Sequence, residues 1–114
     1  MTTRSLRIYK VSVAPVASED EAVPLAYPNS LGTQTKLGGV PYWIQSDETP
    51  ACPHCREPMA FLAQLDSIEH QSKHNPHARD AITGGQHYMF GDVGMIYVFF
   101  CYECCEPASI FQCY

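Results

Sequence analysis

Two Cys-x-x-Cys units constrain the fold of this chain more than any other feature. Cys52 and Cys55 enclose Pro-His, and Cys101 and Cys104 enclose Tyr-Glu. The two units are separated by 45 residues. Four thiolates that arrive as two short turns, or knuckles, can close a tetrahedron around Zn²⁺, with Zn–S bonds of about 2.3 Å. A complete shell of four cysteines leaves no position for water or substrate. The spacing therefore predicts a structural zinc site, with these four cysteines as its ligands.

Cys-Pro-His-Cys is also the redox motif of thioredoxin-class oxidases, which place it at a helix N-terminus. Here Pro58 follows six residues after Cys52 and would interrupt that helix. The redox interpretation also leaves the second Cys-x-x-Cys unit unexplained. Zinc is therefore favoured, while a thiol-redox or metal-sensing role and a set of unconnected buried thiols remain the alternatives.

Three further side chains near the cysteine units have simpler interpretations. Cys105 adjoins Cys104 and could replace it as a ligand, although the two-residue spacing favours Cys104. Cys113 lies in a strand-like end, where a buried cysteine behaves as a small apolar residue. His54 lies inside the first unit, and we expect it to shield the site rather than to bind the metal.

The hydrophobic pattern predicts strands rather than helices. The predicted strands are 5–13, 42–44, 59–65, 95–100 and 108–114. Residues 95–100 are apolar on both faces, which is typical of a central strand covered on both sides. Proline and glycine break the polar segment 66–87, and segment 14–30 is acidic and irregular. We expect an α+β, mainly β fold, a small single domain of antiparallel strands stapled by the four-cysteine zinc site. Residues 1–35 would form an N-terminal strand and acidic segment, and 36–114 the zinc-stapled core.

Composition narrows the classes of partner. The chain has 114 residues and a formal charge of −5, and four thiolates with one Zn²⁺ would bring this to about −7. An acidic chain with scattered basic residues does not suit nucleic acid, and favours a basic protein partner. No segment is typical of a signal peptide or a membrane span. We therefore expect a cytoplasmic protein, because reduced Cys-x-x-Cys pairs belong in that compartment.

Other candidate sites are weak. His70, His74 and His77 could hold a second metal, but no thiol or carboxylate is well spaced to complete the site. Asp66 and Asp92 are each explained as turn residues that bind local backbone N–H groups. Serine-nucleophile elbows, phosphate-binding glycine loops and HExxH motifs are absent from the sequence. We therefore expect no enzymatic activity.

Five short motifs in the same order resemble the YwqG-like bacterial family of unknown function. They are 36–45 (KLGGVPYWIQ), 52–55 (CPHC), 61–67 (FLAQLDS), 90–99 (FGDVGMIYVF) with its trailing Cys-x-x-Cys, and 111–114 (FQCY). The order is also similar, more distantly, to the eukaryotic programmed-cell-death-protein-2-like zinc proteins. The resemblance covers about residues 36–114, whereas larger family members carry two related halves.

The resemblance implies a metal held by the two Cys-x-x-Cys units and a role in protein binding. The distant eukaryotic relatives are thought to chaperone a basic ribosomal protein, and small bacterial members look like neutralisers of protein toxins. We therefore expect a non-catalytic module that binds a basic protein, most specifically an immunity-type protein acting on a cognate toxin. A chaperone of a basic ribosomal client is the alternative within the same class.

Overall fold

One antiparallel sheet is the main regular structure of the described chain. The computed structural model describes residues 8, 10–22, 34–67, 90 and 94–113. It contains α1 (Glu19–Ala22), β1 (Lys36–Leu37), β2 (Ala60–Asp66), β3 (Gly94–Cys101) and β4 (Glu106–Cys113). The strands lie in the order β1-β2-β3-β4, and each neighbouring pair is antiparallel. The expected fold, mainly β and antiparallel with little helix, is thus confirmed.

Three strand predictions are confirmed to within two residues at each end that the structure describes. The predicted strands 59–65, 95–100 and 108–114 correspond to β2, β3 and β4. Asp66 is the last residue of β2 and is buried, so its assignment to a turn was wrong. Residues 68–89 and 91–93, which include the three histidines and Asp92, lie outside the described residues.

The core is built on β3. Met95, Tyr97 and Phe99 alternate along it and are at most 1% exposed, because successive side chains of a strand point to opposite faces. All the remaining residues of β3 are buried or half-buried, as expected for a strand with neighbours on both sides. The Trp43 ring packs on this row, with ring centroids 4.5 Å from Tyr97 and 5.9 Å from Phe99. Trp43 is half-buried and packs against the core.

The aromatic segment 42–44 is not a strand, contrary to the sequence prediction. Its backbone bonds side chains of the sheet instead of a neighbouring strand. Gln64 of β2 accepts the Tyr42 N–H at 3.0 Å. The hydroxyl of Tyr97 in β3 accepts the Ile44 N–H at 3.0 Å and donates to the Tyr42 carbonyl at 2.7 Å. Residues 42–46, here called the crossing segment, thus pass from β2 to β3 over the core face.

Gln112 of β4 binds the far end of the crossing segment. Its side-chain oxygen accepts the Gln45 N–H at 2.9 Å, and its amide donates to the Ser46 carbonyl at 2.7 Å and to Glu48 Oε1 at 3.0 Å. Gln112 is only 2% exposed. A buried amide must find partners, and here the backbone of the crossing segment supplies them. We call Gln64, Tyr97 and Gln112 together the polar clasp.

The N-terminal segment differs from the prediction. Residues 8 and 10–13 belong to no strand, and Ile8, Val11 and Val13 are 93%, 82% and 72% exposed; the remainder of the predicted strand 5–13 lies outside the described residues. Ser18 caps α1 by accepting the Glu21 N–H at 3.4 Å. Among the described residues, no helix has the length and apolar character needed to cross a membrane. The boundary at residue 35 stays a prediction.

Candidate metal centre

The first cysteine pair lies on a tight hairpin just before β2. Ala51 and Pro58 form an isolated antiparallel bridge, and inside it Cys52 N–H donates to the Glu57 carbonyl at 2.9 Å. The Arg56 N–H turns back to the Cys52 carbonyl at 2.8 Å. Arg56 has a φ of 66°, in the left-handed region that non-glycine residues rarely adopt. These bonds fix the turn so that the side chains of Cys52 and Cys55 point to one side.

The second pair lies on the turn between β3 and β4. Cys101 is the last residue of β3, and residues 102–105 form the turn that leads into β4. Cys105 has a φ of 55°. It follows the second cysteine of its pair as Arg56 follows Cys55, so the two turns share a left-handed residue at the same position. This conformation leaves Cys105 exposed.

The two turns bring four sulfur atoms together. The Sγ atoms of Cys52, Cys55, Cys101 and Cys104 all lie within 4.8 Å of one another, and Cys55 and Cys101 are 3.7 Å apart. Tetrahedral coordination with Zn–S bonds of about 2.3 Å requires sulfur atoms about 3.8 Å apart. Cys52 is 1% and Cys101 7% exposed, while the other two are half-buried. The four cysteines chosen from spacing therefore lie together, in an arrangement compatible with a metal site.

Burial and local hydrogen bonds shift the pKa values of thiols in the cluster. The backbone N–H of Cys55, with that of His54, lowers the pKa of Cys52 to about 6 against the effect of burial. Burial and hydrogen bonds with the other three thiols raise the pKa of Cys104 to about 12. Without a metal, these surroundings favour the thiolate form of Cys52 and the protonated form of Cys104. A bound divalent cation reverses this balance, because a metal-coordinated thiol is deprotonated.

A side-chain contact links the first turn to the start of β4, outside the sulfur cluster. His54 Nε2 lies 3.2 Å from Glu106 Oε2, and the two side chains are 63% and 36% exposed. The His54 backbone N–H approaches Cys52 Sγ at 3.4 Å. The cluster of potential ligands contains the four cysteines and not His54. This agrees with the expectation that His54 borders the site.

The remaining cysteines lie away from the ligand set. Cys105 is exposed, and the cluster includes Cys104 instead. Cys113 is half-buried at the end of β4, at the opposite end of the sheet from the cluster. Both are free thiols, so no disulfide joins them.

Sequence reasoning missed two polar groups. One is the polar clasp. Its signal in the sequence was a glutamine at a core-facing position of each of two strands, β2 and β4. The other is the buried Lys36, whose ammonium pairs with Glu19. Pairing between residues 17 positions apart leaves no local pattern, so the sequence offered no signal for this contact.

Comparison with known proteins finds an uncharacterized relative. An uncharacterized protein named YpfL from Salmonella typhimurium strain LT2 is 33% identical over 82 residues. The matched region is 70% of this chain and 15% of the relative, so the chain spans a small part of that protein's length. No protein-family model and no solved structure matches the chain.

Proposed function

We propose that the four cysteines bind one structural Zn²⁺. The main support is the composition of the cluster found among the described residues. It consists of four sulfur ligands within 4.8 Å of one another and includes no other ligand type. A tetrahedral all-sulfur set suits zinc or iron, and it disfavours the hard cations Ca²⁺ and Mg²⁺. Four thiolates are a structural set, whereas catalytic zinc sites keep three protein ligands and an open position. The two turns then act as paired zinc knuckles.

The metal proposal is tested by metal analysis of protein purified without added metal. We expect one zinc per chain, lost in Cys52→Ser and Cys101→Ser and kept in the matched control Cys105→Ser. One equivalent of iron, with the visible absorption of iron–thiolate bonds, would replace zinc in the proposal. Full metal content in Cys52→Ser would contradict the ligand assignment.

We further propose that the chain, stabilised by this metal site, is a non-catalytic protein-binding module. A closed ligand shell has no position for substrate, so the metal would act through the fold. The formal charge of −5 supports a basic partner, because opposite charge accelerates and orients association. The order of the five motifs supports kinship with the YwqG-like family. The most specific form is an immunity-type protein that neutralises a basic toxin, and a ribosomal-protein chaperone is the alternative within this class.

A thiol-redox role is the second candidate from another class. It is favoured by the lowered pKa of Cys52, since the thiolate is the reactive form. It is opposed by the 1% exposure of the same side chain, which denies access to a substrate disulfide. Alkylation separates the two roles. A structural site would leave Cys52 unreactive until a chelator removes the metal, whereas a redox site would react in the native protein.

The binding role is tested by affinity capture of the zinc-replete protein from its own cells, followed by reconstitution with each purified candidate. We expect a stoichiometric basic partner whose association rate falls as salt rises, because salt screens surface charge. Asp20 is exposed on α1, so Asp20→Lys should slow association if α1 faces the partner. Glu103→Lys, in the turn between Cys101 and Cys104, serves as the control. A partner with a salt-independent association rate would contradict the electrostatic proposal, and the identity of the partner separates toxin from ribosomal client.

A further inference from the structure

We propose that Lys36, Val40 and the turn 38–39 form a binding site for a carboxylate. In this structure the site holds the chain's own Glu19. We infer that an acidic side chain of a partner peptide can take its place. The site lies on β1, away from the cysteine cluster, and the inference does not depend on the partner proposed above.

The cationic half of the site is a buried lysine. The Lys36 side chain is only 5% exposed, and its ammonium lies 5.4 Å from the centre of the Phe61 ring. The ammonium donates to the Val40 carbonyl and to Glu19 Oε2. A lysine is rarely buried without a paired anion, and an aromatic face attracts a cation without neutralising it. The surroundings of Lys36 therefore require a carboxylate at the position that Glu19 occupies.

The backbone completes a two-point contact with the carboxylate. While Glu19 Oε2 receives the ammonium, Glu19 Oε1 accepts the Val40 N–H at 2.9 Å. Two hydrogen bonds lower the pKa of Glu19, and the one from Lys36 has a larger effect than the one from the Val40 backbone. A carboxylate that accepts one charged and one backbone donor is held more strongly and with more defined geometry than in a simple surface pair.

Glycine provides the space for this contact. Gly38 and Gly39 have φ values of 73° and 74°, so both occupy the left-handed region. A Cβ at Gly39 would lie 2.0 Å from Glu19 Oε1, whereas a Cβ at Gly38 would have nothing within 4 Å. The two positions carry the same conformational requirement, but only the second faces the carboxylate. They therefore form a matched pair for testing the site.

The bound carboxylate comes from an exposed segment. Residues 10–21 are all exposed, and the Glu19 side chain is itself 46% exposed. A cavity of about 530 Å³ lies between this segment and β1, lined by Pro15, Val16, Leu37 and the glycine turn. An incoming side chain thus has room beside the ion pair. Because Glu19 is tethered to the same chain, a competitor must offer more contacts than one carboxylate, which favours an acidic peptide over a free small anion.

The test follows hydrogen exchange of the Val40 amide by NMR in the metal-loaded protein. We expect exchange to be at least about tenfold faster in Glu19→Ala than in wild type, since a hydrogen bond to a charged group is lost. Gly39→Ala should show the same acceleration and Gly38→Ala should not. Asp20→Ala, a neighbouring acid, should match wild type.

The probe for the vacated site is sodium acetate, compared with sodium chloride at equal ionic strength. In Glu19→Ala, acetate should slow Val40 exchange in a saturable manner and chloride should not. Adding Lys36→Met should abolish the acetate effect, with circular dichroism used to check that this variant is folded. The proposal is overturned if acetate and chloride act alike in Glu19→Ala. It is equally overturned if the two glycine variants exchange at the same rate.

Discussion

Removing the hydroxyl of Tyr97 should detach the crossing segment from the centre of the sheet. Tyr97 is fully buried in β3, and its hydroxyl bonds two backbone groups, the Tyr42 carbonyl at 2.7 Å and the Ile44 N–H at 3.0 Å. Tyr97→Phe keeps the ring, and therefore the packing against Trp43. The substitution isolates the polar contribution of the clasp from its hydrophobic one.

The expected loss follows from the two orphaned backbone groups. Each net hydrogen bond contributes about 0.5–1.5 kcal/mol, and a buried group left without a partner costs about 1–3 kcal/mol. Tyr42 is 39% exposed, so water can reach its backbone and reduce the cost at the carbonyl. Ile44 is half-buried. We expect the free energy of unfolding to fall by about 2–4 kcal/mol, a large part of the roughly 5–15 kcal/mol typical of a domain.

Urea unfolding followed by fluorescence provides the assay, because Trp43 is the single tryptophan and packs against Tyr97, with ring centroids 4.5 Å apart. Tyr102→Phe makes the same chemical change at a side chain that is 67% exposed, and should alter stability by less than about 0.5 kcal/mol. If the two variants unfold at the same urea concentration with equal slopes, the hydroxyl of Tyr97 does not hold the crossing segment and the reasoning is refuted.

Four further outcomes follow from the same structure. Burial raises the pKa of Tyr97 to about 12; stability from this group is fully present below its ordinary pKa near 10 and is lost as pH rises towards 12, so Tyr97→Phe should flatten the alkaline unfolding profile. If the cluster holds the proposed metal, chelation should lower the melting temperature of wild-type protein sharply and should leave that of Cys52→Ser unchanged, because that substitution removes a ligand. Cys105→Ser should melt like wild type, since its exposed thiol lies outside the cluster. His54→Ala should change stability by less than about 1 kcal/mol, as expected for a solvent-exposed side-chain contact. A larger loss in guanidinium unfolding would assign the residue a role inside the cysteine cluster.

Local patterns predicted the parts of this fold that depend on local chemistry. Apolar runs located β2 and β3, because most side chains of a buried strand that face the core are apolar. Cysteine spacing located the sulfur cluster, because two residues between paired thiols fit the bite of a tetrahedral metal. Both features can be read within a window of a few residues.

The crossing segment shows why the rest could not be predicted. Tyr42, Trp43 and Ile44 have high β propensity, which describes how a side chain fits a half-buried surface and not which group bonds the backbone. Here those partners are side chains of Gln64, Tyr97 and Gln112, at distances of up to 67 residues along the chain. The useful signal was the placement of two amides inside apolar strands, since a buried amide must be satisfied.

The long-range contacts that close this fold are made by side chains rather than by strand pairing alone. Cys55 meets Cys101 across 46 residues, and the Gln112 side chain meets the backbone of Gln45 across 67. Loop closure of this length costs entropy that must be offset by the contact itself. The binding free energy of a metal offsets more of that entropy cost than a neutral hydrogen bond does, because the metal brings together ligands that the unfolded chain leaves apart.

The cysteine cluster at one end of the sheet and the polar clasp across its core face therefore divide the closure of the fold between them. The clasp orders a segment whose covering tryptophan packs on the core, and the cysteine cluster joins the turn that precedes β2 to the turn that follows β3. This division explains how a chain of 114 residues can order an irregular segment over its core while the sheet, in the part of the chain that the structure describes, contributes only three strands longer than two residues.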